Sequence, residues 1–136
     1  ILWPDHCVRD TPGAEPAPGL AADAIERVFL KGSDVDVDSY SCLFDNGHRR
    51  ATGLGDYLRE RGVQSVFVAG LALDYCVKFS VLDAAELGFE TFVVRDATRA
   101  VNLQPGDGER AIAAMRQAGA EVVTSESLLR RIDRSA

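Results

Sequence analysis

From Leu54 onward, short apolar runs alternate with helical stretches, and this alternation restricts the fold more than any other feature of the chain. The pattern predicts helices over Leu54–Arg61, Tyr75–Leu87, Gly108–Gln117 and Glu126–Asp133, and strands over Ser65–Ala69, Thr91–Val94 and Glu121–Val123. Strands separated by helices form βαβ units, and such units build a parallel sheet. Val66–Ala69 is apolar on both faces, as expected for a sheet covered by helices on each side. The sequence therefore predicts a single α/β domain over residues 1–136.

Residues 1–53 follow a different pattern. Four of the five prolines lie within the first 18 residues, which predicts an entry loop without a regular helix. After it, the pattern predicts a short helix over Ala21–Ile25 and a strand over Arg27–Leu30. A long loop over Lys31–Gly53 follows, and loops of this length usually have a function.

Composition restricts the partners of the chain. The formal net charge is −6, with 15 Lys and Arg against 21 Asp and Glu, which argues against binding to nucleic acid or to an anionic membrane surface. The three cysteines are widely spaced and form no CxxC pair, so we expect a reducing compartment and no disulfide framework. No apolar run approaches the roughly 20 residues of a membrane span. We expect a soluble, cytoplasmic protein with a small-molecule ligand.

Two reactive groups are expected at one edge of the sheet. Lys31 follows one predicted strand and Cys76 comes shortly after another, and open parallel sheets bind ligands beyond the carboxyl ends of their strands. If Asp74 is the N-cap of the next helix, Cys76 falls in the first turn, where the helix end favours a thiolate. Buried packing is the alternative interpretation of a single cysteine.

Several segments carry a resemblance to a known family. They are WPDHCV (Trp3–Val8), TPGAE (Thr11–Glu15), VFLKG (Val28–Gly32), VDSYSCLFDN (Val37–Asn46), GLALDYCVKFSVLDA (Gly70–Ala84) and VNLQPGD (Val101–Asp107). In this order they resemble the nicotinamidase/pyrazinamidase group of the isochorismatase-like cysteine hydrolases. The resemblance implies a Rossmann-type three-layer fold with a parallel sheet. It also implies hydrolysis of nicotinamide or pyrazinamide to the acid and ammonia, a step of NAD salvage.

The resemblance assigns catalytic roles to individual residues. Cys76 would attack the carboxamide carbon and form a thioester that water then hydrolyses. Lys31 would be the catalytic lysine. The backbone N–H groups of Ala72 and Cys76 would form the oxyanion hole, with a cis peptide between Leu71 and Ala72.

The resemblance also implies a metal and a ring-binding slot. His6 matches a ligand of the family's divalent ion, which is zinc, iron or manganese, and imidazole suits all three. Trp3, Tyr40 and Tyr75 would form aromatic walls around the substrate ring.

The chain departs from the family at important positions. The family's general base, an aspartate after a first strand, and its Asp-x-His metal ligands have no counterpart here. Because catalytic metal sites usually need three protein ligands, the site is incomplete. We therefore expect the C-terminal part of a single isochorismatase-like domain that lacks the first two strands, is truncated at its N-terminus and is inactive alone. Leu73 also replaces the usual threonine.

Two alternatives remain open at this point. The chain could be another isochorismatase-like cysteine amidase, acting on a carbamoyl or ureido substrate. It could also be an inert truncated domain that persists as a scaffold, bound to a partner or as a homo-oligomer.

Overall fold

The computed structural model describes residues 3–135, with side chains through residue 132; positions 1, 2 and 136 of the predicted domain lie outside it. Its regular elements are α1 (Leu54–Glu60), β1 (Ser65–Leu71), α2 (Lys78–Glu86), β2 (Glu90–Arg99), α3 (Asp107–Gln117), β3 (Glu121–Val123) and α4 (Ser125–Ser135). A π-helical turn over Leu73–Val77 joins β1 to α2, and 3₁₀ turns lie at Pro12–Ala14 and Ala22–Ala24.

The three strands form a parallel sheet in the order β1–β2–β3, as the alternating pattern predicts. Val68 of β1 pairs with Val93 of β2, and after a register shift Gly70 pairs with Thr98. Strand β2 extends five residues beyond its predicted end at Val94 because its second half pairs with the last residues of β1. This pairing brings the end of β2 next to the turn that contains Cys76.

Helices cover both faces of the sheet, so the fold has the three layers that were expected. On one face Val68, Val93 and Val122 pack against α2 and α3 in the main core, whose buried members are Leu73, Val77, Val81, Val93, Ala111, Ile112, Met115 and Ala120. On the other face Phe92, Val94 and Val123 pack against Leu128 of α4. Burial of such side chains contributes about 1.5–3 kcal/mol each.

A third cluster seats part of the long loop against this framework. Leu43 from the loop is buried with Ala84 of α2 and Phe89, and Leu54 and Leu58 of α1 pack around them. The loop segment next to Leu43 is thereby held close to α2, which directly follows the Cys76 turn.

The predicted strand over Arg27–Leu30 is wrong. These residues form no β-ladder, and the side chains of Val28 and Leu30 are 70% and 67% exposed. A strand requires a neighbour that satisfies its N–H and C=O groups, and no strand within residues 3–135 pairs with this segment. The short helix predicted over Ala21–Ile25 is only the 3₁₀ turn at Ala22–Ala24. In the part of the chain that is described, no helix has the length and apolarity needed to cross a membrane.

Candidate active site

The structure brings Cys76 and Lys31 together although 45 residues separate them. The Lys31 Nζ lies 3.4 Å from the Cys76 Sγ. The same ammonium donates a hydrogen bond to the carbonyl oxygen of Ser39 at 2.7 Å, so a backbone group of the long loop orients it. An ammonium within hydrogen-bond distance of a sulfur stabilises its thiolate form, which is the nucleophilic form.

The turn from Leu73 to Val77 aims Cys76 outward. Leu73 and Val77 are buried in the main core, and Tyr75 and Cys76 line the adjacent cleft. The leucine that stands at position 73, where the family usually has threonine, therefore affects the core, because its side chain packs there. The carbonyl of Ala72 accepts hydrogen bonds from the N–H groups of Tyr75 at 3.1 Å and Val77 at 3.0 Å. The peptide bond between Leu71 and Ala72 is cis, as the resemblance implies.

The expectation that Asp74 caps the helix is wrong. Ala72 precedes the turn, and α2 begins only at Lys78. The buried Asp74 carboxylate instead accepts hydrogen bonds from the backbone N–H groups of Val101, at 3.0 Å, and Asn102, at 2.8 Å. Both of these donors lie in the loop after β2, and the sequence pattern around Asp74 contains no sign of them.

Aromatic side chains form one wall of the cleft. The rings of Trp3 and Tyr75 meet edge to face with centroids 4.8 Å apart, and those of Tyr40 and Tyr75 are 5.5 Å apart. The Trp3 Nε1–H donates to the Tyr40 hydroxyl at 3.0 Å, and Tyr40 also stacks on Phe79. The three aromatic residues named from the resemblance are thus neighbours, and Phe79 supports them from α2.

The cleft has a volume of about 340 Å³, within the size range of small-ligand pockets. Its lining residues are Trp3, Pro4, His6, Lys31, Asp38, Ser39, Tyr40, Tyr75, Cys76 and Val101. All predicted site residues except Ala72, which begins the turn, therefore line one cavity.

His6 is exposed at the edge of this cleft. Its Nδ1 lies 2.7 Å from the carbonyl oxygen of Pro4, which can only accept a hydrogen bond. Nδ1 therefore carries the proton in the neutral ring and Nε2 is free to bind a metal. Among the described residues, however, no group of three or more His, Cys, Asp or Glu side chains could hold a metal ion. The side chains of residues 3–132 therefore do not form a complete site for the divalent ion.

Sequence reasoning missed Ser80, a buried residue that links the two sides of the site. Its hydroxyl donates to the carbonyl of Cys76 at 2.7 Å and accepts from the N–H of Cys42 at 2.9 Å. A serine four residues after a residue in a helix commonly bonds back to that carbonyl, so this spacing was an available signal. Ser80 thereby connects the Cys76 turn to the long loop.

Two titratable groups near the cleft have perturbed pKa values. Burial is the largest cause acting on the Cys42 thiol, and it raises the pKa of that group. Cys42 therefore stays protonated at neutral pH, unlike a nucleophile. Desolvation, and then the charges of Asp107 and Asp74, raise the pKa of the Tyr75 phenol. The Tyr75 hydroxyl is accordingly neutral at neutral pH.

The isochorismatase domain model matches residues 1–127. The chain belongs to the isochorismatase family. A nicotinamidase of Escherichia coli strain K12 is 50% identical over 123 residues, which are 90% of this chain and 58% of that relative. This member of the isochorismatase family thus spans about three fifths of the length of the curated relative.

Solved structures of the family agree with the fold. A nicotinamidase/pyrazinamidase of Acinetobacter baumannii has a TM-score of 0.90 and 39% identity, covering 94% of this chain and 61% of its own. A pyrazinamidase of Pyrococcus horikoshii, solved in complex with zinc, has a TM-score of 0.76 and 37% identity. The match covers 90% of this chain and 63% of the pyrazinamidase. The parallel sheet with helices on both faces is therefore the isochorismatase arrangement.

Proposed function

We propose that this chain carries the nucleophilic centre of a nicotinamidase-type amidohydrolase. The Cys76 thiolate attacks the carboxamide carbon of nicotinamide or pyrazinamide, the C–N bond breaks, and the nitrogen takes up a proton and leaves as ammonia. Water then attacks the thioester carbon and the C–S bond breaks, which releases the carboxylic acid and restores the thiol. The sum is amide plus water to acid plus ammonia. The acid would enter NAD salvage, and the free thiols favour a cytoplasmic location.

The 3.4 Å approach of Lys31 to Cys76 is the observation that carries this proposal. A lysine and a cysteine from segments far apart in sequence meet at the carboxyl edge of a parallel sheet, where ligands of this fold class bind. The Lys31 ammonium stabilises the thiolate before attack. It also places a proton donor next to the leaving nitrogen.

The surrounding cleft fits an aromatic carboxamide. Trp3, Tyr40 and Tyr75 offer ring faces and edges to a flat heteroaromatic ring, while the amide points toward Cys76. The backbone N–H groups of Ala72 and Cys76 are proposed to stabilise the oxyanion, a contribution of about 3 kcal/mol per donor in other hydrolases.

The metal and the general base stay predictions. A divalent ion at His6 would need further ligands, which the described side chains of residues 3–132 do not supply. In the described part of the chain, the hydrogen-bond partner of the Cys76 sulfur is Lys31, and no carboxylate is bonded to it. Thioester hydrolysis needs a base for water, so we propose that this chain alone turns over slowly or not at all.

Protection of Cys76 by nicotinamide tests the proposed function. The chain is treated with iodoacetamide, and alkylation of the Cys76 peptide is followed by mass spectrometry. Nicotinamide is expected to slow labelling of Cys76 and to leave the Cys7 and Cys42 peptides unaffected, which makes them internal controls. Absence of protection contradicts the proposal, and protection by N-carbamoylglycine instead of nicotinamide assigns the chain to the carbamoyl-type amidases.

A separate assay addresses turnover. Ammonia release from nicotinamide is measured with zinc, iron or manganese added, using Cys76→Ser as the blank. Release at the level of the blank is expected. Release well above the blank would contradict the predicted inactivity of this chain and would leave the assignment of Cys76 intact.

A further inference from the structure

The motif VNLQPGD, over Val101–Asp107, has no role in the proposed chemistry, yet its first residue lines the cleft. Val101 is 46% exposed and lies in the loop between β2 and α3. A loop side chain can form a ligand-selective wall only if its backbone is held in place. The contacts of this backbone therefore matter for the site.

Asp74 holds that backbone from the side of the nucleophile. It lies two residues before Cys76 and is 4% exposed. Its Oδ1 accepts from the N–H of Val101 at 3.0 Å and its Oδ2 accepts from the N–H of Asn102 at 2.8 Å. Both oxygens of one buried carboxylate are thus used on consecutive amides of the loop. Such charge-assisted bonds are stronger than bonds between neutral groups.

The start of α3 holds the same loop from the other side. The Asn102 side chain accepts the Gly108 N–H at 2.9 Å, and Asn102 has a left-handed backbone with φ of 54°. A Cβ on Gly108 would lie 2.9 Å from the Ala100 Cβ, so only glycine allows α3 to approach the loop this closely. The loop backbone at Val101 is clamped between the Cys76 turn and α3.

We propose that Asp74 is a positioning residue that holds Val101 in place, so that its side chain forms an aliphatic wall of the ring-binding cleft. This wall complements the aromatic wall formed by Trp3, Tyr40 and Tyr75. This inference rests on the proposed function, because it concerns ring-bearing substrates. Asp74 then determines which ring-bearing molecules enter the cleft, but it does not determine the reactivity of the Cys76 sulfur. Loss of the carboxylate should therefore change which electrophiles reach Cys76 while leaving its intrinsic reactivity in place.

The test compares two alkylating reagents on the Cys76 peptide and requires no turnover. Iodoacetamide is small, whereas iodoacetanilide carries an aromatic ring that must enter the cleft. Asp74→Asn keeps the side-chain shape but replaces one acceptor oxygen with a donor. We expect it to lower the ratio of iodoacetanilide to iodoacetamide rates about fivefold or more, the scale of a lost charge-assisted bond. The iodoacetamide rate itself should stay within about twofold of that of the parent chain.

Asp107→Asn is the matched control. Asp107 accepts the Gln104 N–H at 2.8 Å at the far end of the same loop and does not line the cleft. Both Asp74 and Asp107 act on Tyr75 through their charge, so this variant also removes a negative charge near that ring. It should leave the reagent ratio unchanged. An equal fall in both variants would overturn the inference and indicate a general effect on the loop.

A second variant and hydrogen exchange test the same role of Val101 independently of the Asp74→Asn variant. Val101→Ala leaves the buried carboxylate intact and should reproduce the fall in the ratio, which covers the case in which Asp74→Asn does not fold. Hydrogen exchange should find the Val101 and Asn102 amides protected in the parent chain. Three results would each overturn the inference. They are rapid exchange of these two amides, an unchanged reagent ratio in Val101→Ala, and an equal fall of both alkylation rates in Asp74→Asn. Failure of nicotinamide to protect Cys76 would instead count against the proposed function alone.

Discussion

Residues 54–135, the sheet region, and residues 3–53, the loop region, build the same cleft by different means. The sheet region places Tyr75 and Cys76 on a turn whose Leu73 and Val77 are part of the main core. The loop region contributes Trp3, His6, Lys31 and Tyr40, but its buried residues are confined to the stretch from Ser39 to Asp45. The nucleophile is held by apolar packing, whereas its partners are held by hydrogen bonds and ring contacts. The two regions should therefore respond differently to the same substitution.

The largest expected difference is in the response to leucine truncation. Leu73→Ala should lower the free energy of unfolding by about 2–5 kcal/mol, because it leaves a cavity in the main core. Leu30→Ala, the same change at a residue that is 67% exposed, should alter it by no more than about 0.5 kcal/mol. Urea unfolding of both variants measures this contrast. Similar losses in the two variants would mean that the loop region has a core of its own.

The next effect concerns the contact between the two regions. Lys31→Met should slow alkylation of Cys76 by iodoacetamide at neutral pH about fivefold, because it removes an ammonium 3.4 Å from the sulfur. Lys78→Met removes the same charge from the start of α2, where the ammonium lies over the Phe79 ring, and should change the rate much less. Equal rates in the two variants would show that the position of Lys31 is unimportant to the thiolate.

A smaller effect is expected at the anchor of the segment before Lys31. The Tyr57 hydroxyl of α1 donates to the Glu26 carboxylate at 2.6 Å, and Arg61 pairs with the same carboxylate. Tyr57→Phe should increase protease cleavage within residues 20–30 about two- to threefold, since exposed polar contacts contribute at most about 1 kcal/mol. Cleavage within the sheet region is the internal control. A general rise in cleavage would indicate global destabilisation instead.

The smallest effect lies in the sheet region and disappears as the pH becomes acidic. Hydrogen bonds from the Ser125 side chain and backbone lower the pKa of Asp96, which anchors the start of α4. A lowered folded-state pKa contributes stability above the unfolded value, near 4, and this contribution is lost as the pH falls through the folded value. Asp96→Asn should thus be less stable than the parent chain at pH 7, and the two melting curves should converge towards pH 2. A difference in melting temperature that stays as large at pH 2 as at pH 7 would contradict this role of the Asp96 carboxylate.

The sequence predicts the sheet region well because its signals are local. Helix α1 was expected at Leu54–Arg61 and ends one residue earlier, and β3 lies at Glu121–Val123 as predicted. Apolar periodicity and flanking glycines act over a few residues, so the pattern alone identifies these elements. Strand β2 was predicted too short because four of the five residues from 95 to 99 are polar, and this stretch is a strand only through its pairing with β1.

The errors fall where a partner distant in sequence decides the outcome. Arg27–Leu30 has the composition of a strand, but a strand exists only if another strand accepts its hydrogen bonds. Asp74 has the position of a helix cap, but the amides of Val101 and Asn102, more than 25 residues later, capture its carboxylate. In the same way, the Ser80 hydroxyl accepts a hydrogen bond from the N–H of Cys42, 38 residues away, and no local pattern contains this contact.

By itself, the sequence determined the order of helices and strands after Leu54, the parallel sheet, and the chemical types of the groups at its carboxyl edge. These properties follow from side-chain periodicity and from short-range backbone preferences, which every segment expresses alone. Only the tertiary structure decided that Lys31 meets Cys76, that Trp3 bonds to Tyr40, and that Asp74 turns inward to hold Val101. The reason is physical: each of these contacts depends on the distance between segments that are far apart in the chain, and that distance is set by how the core packs.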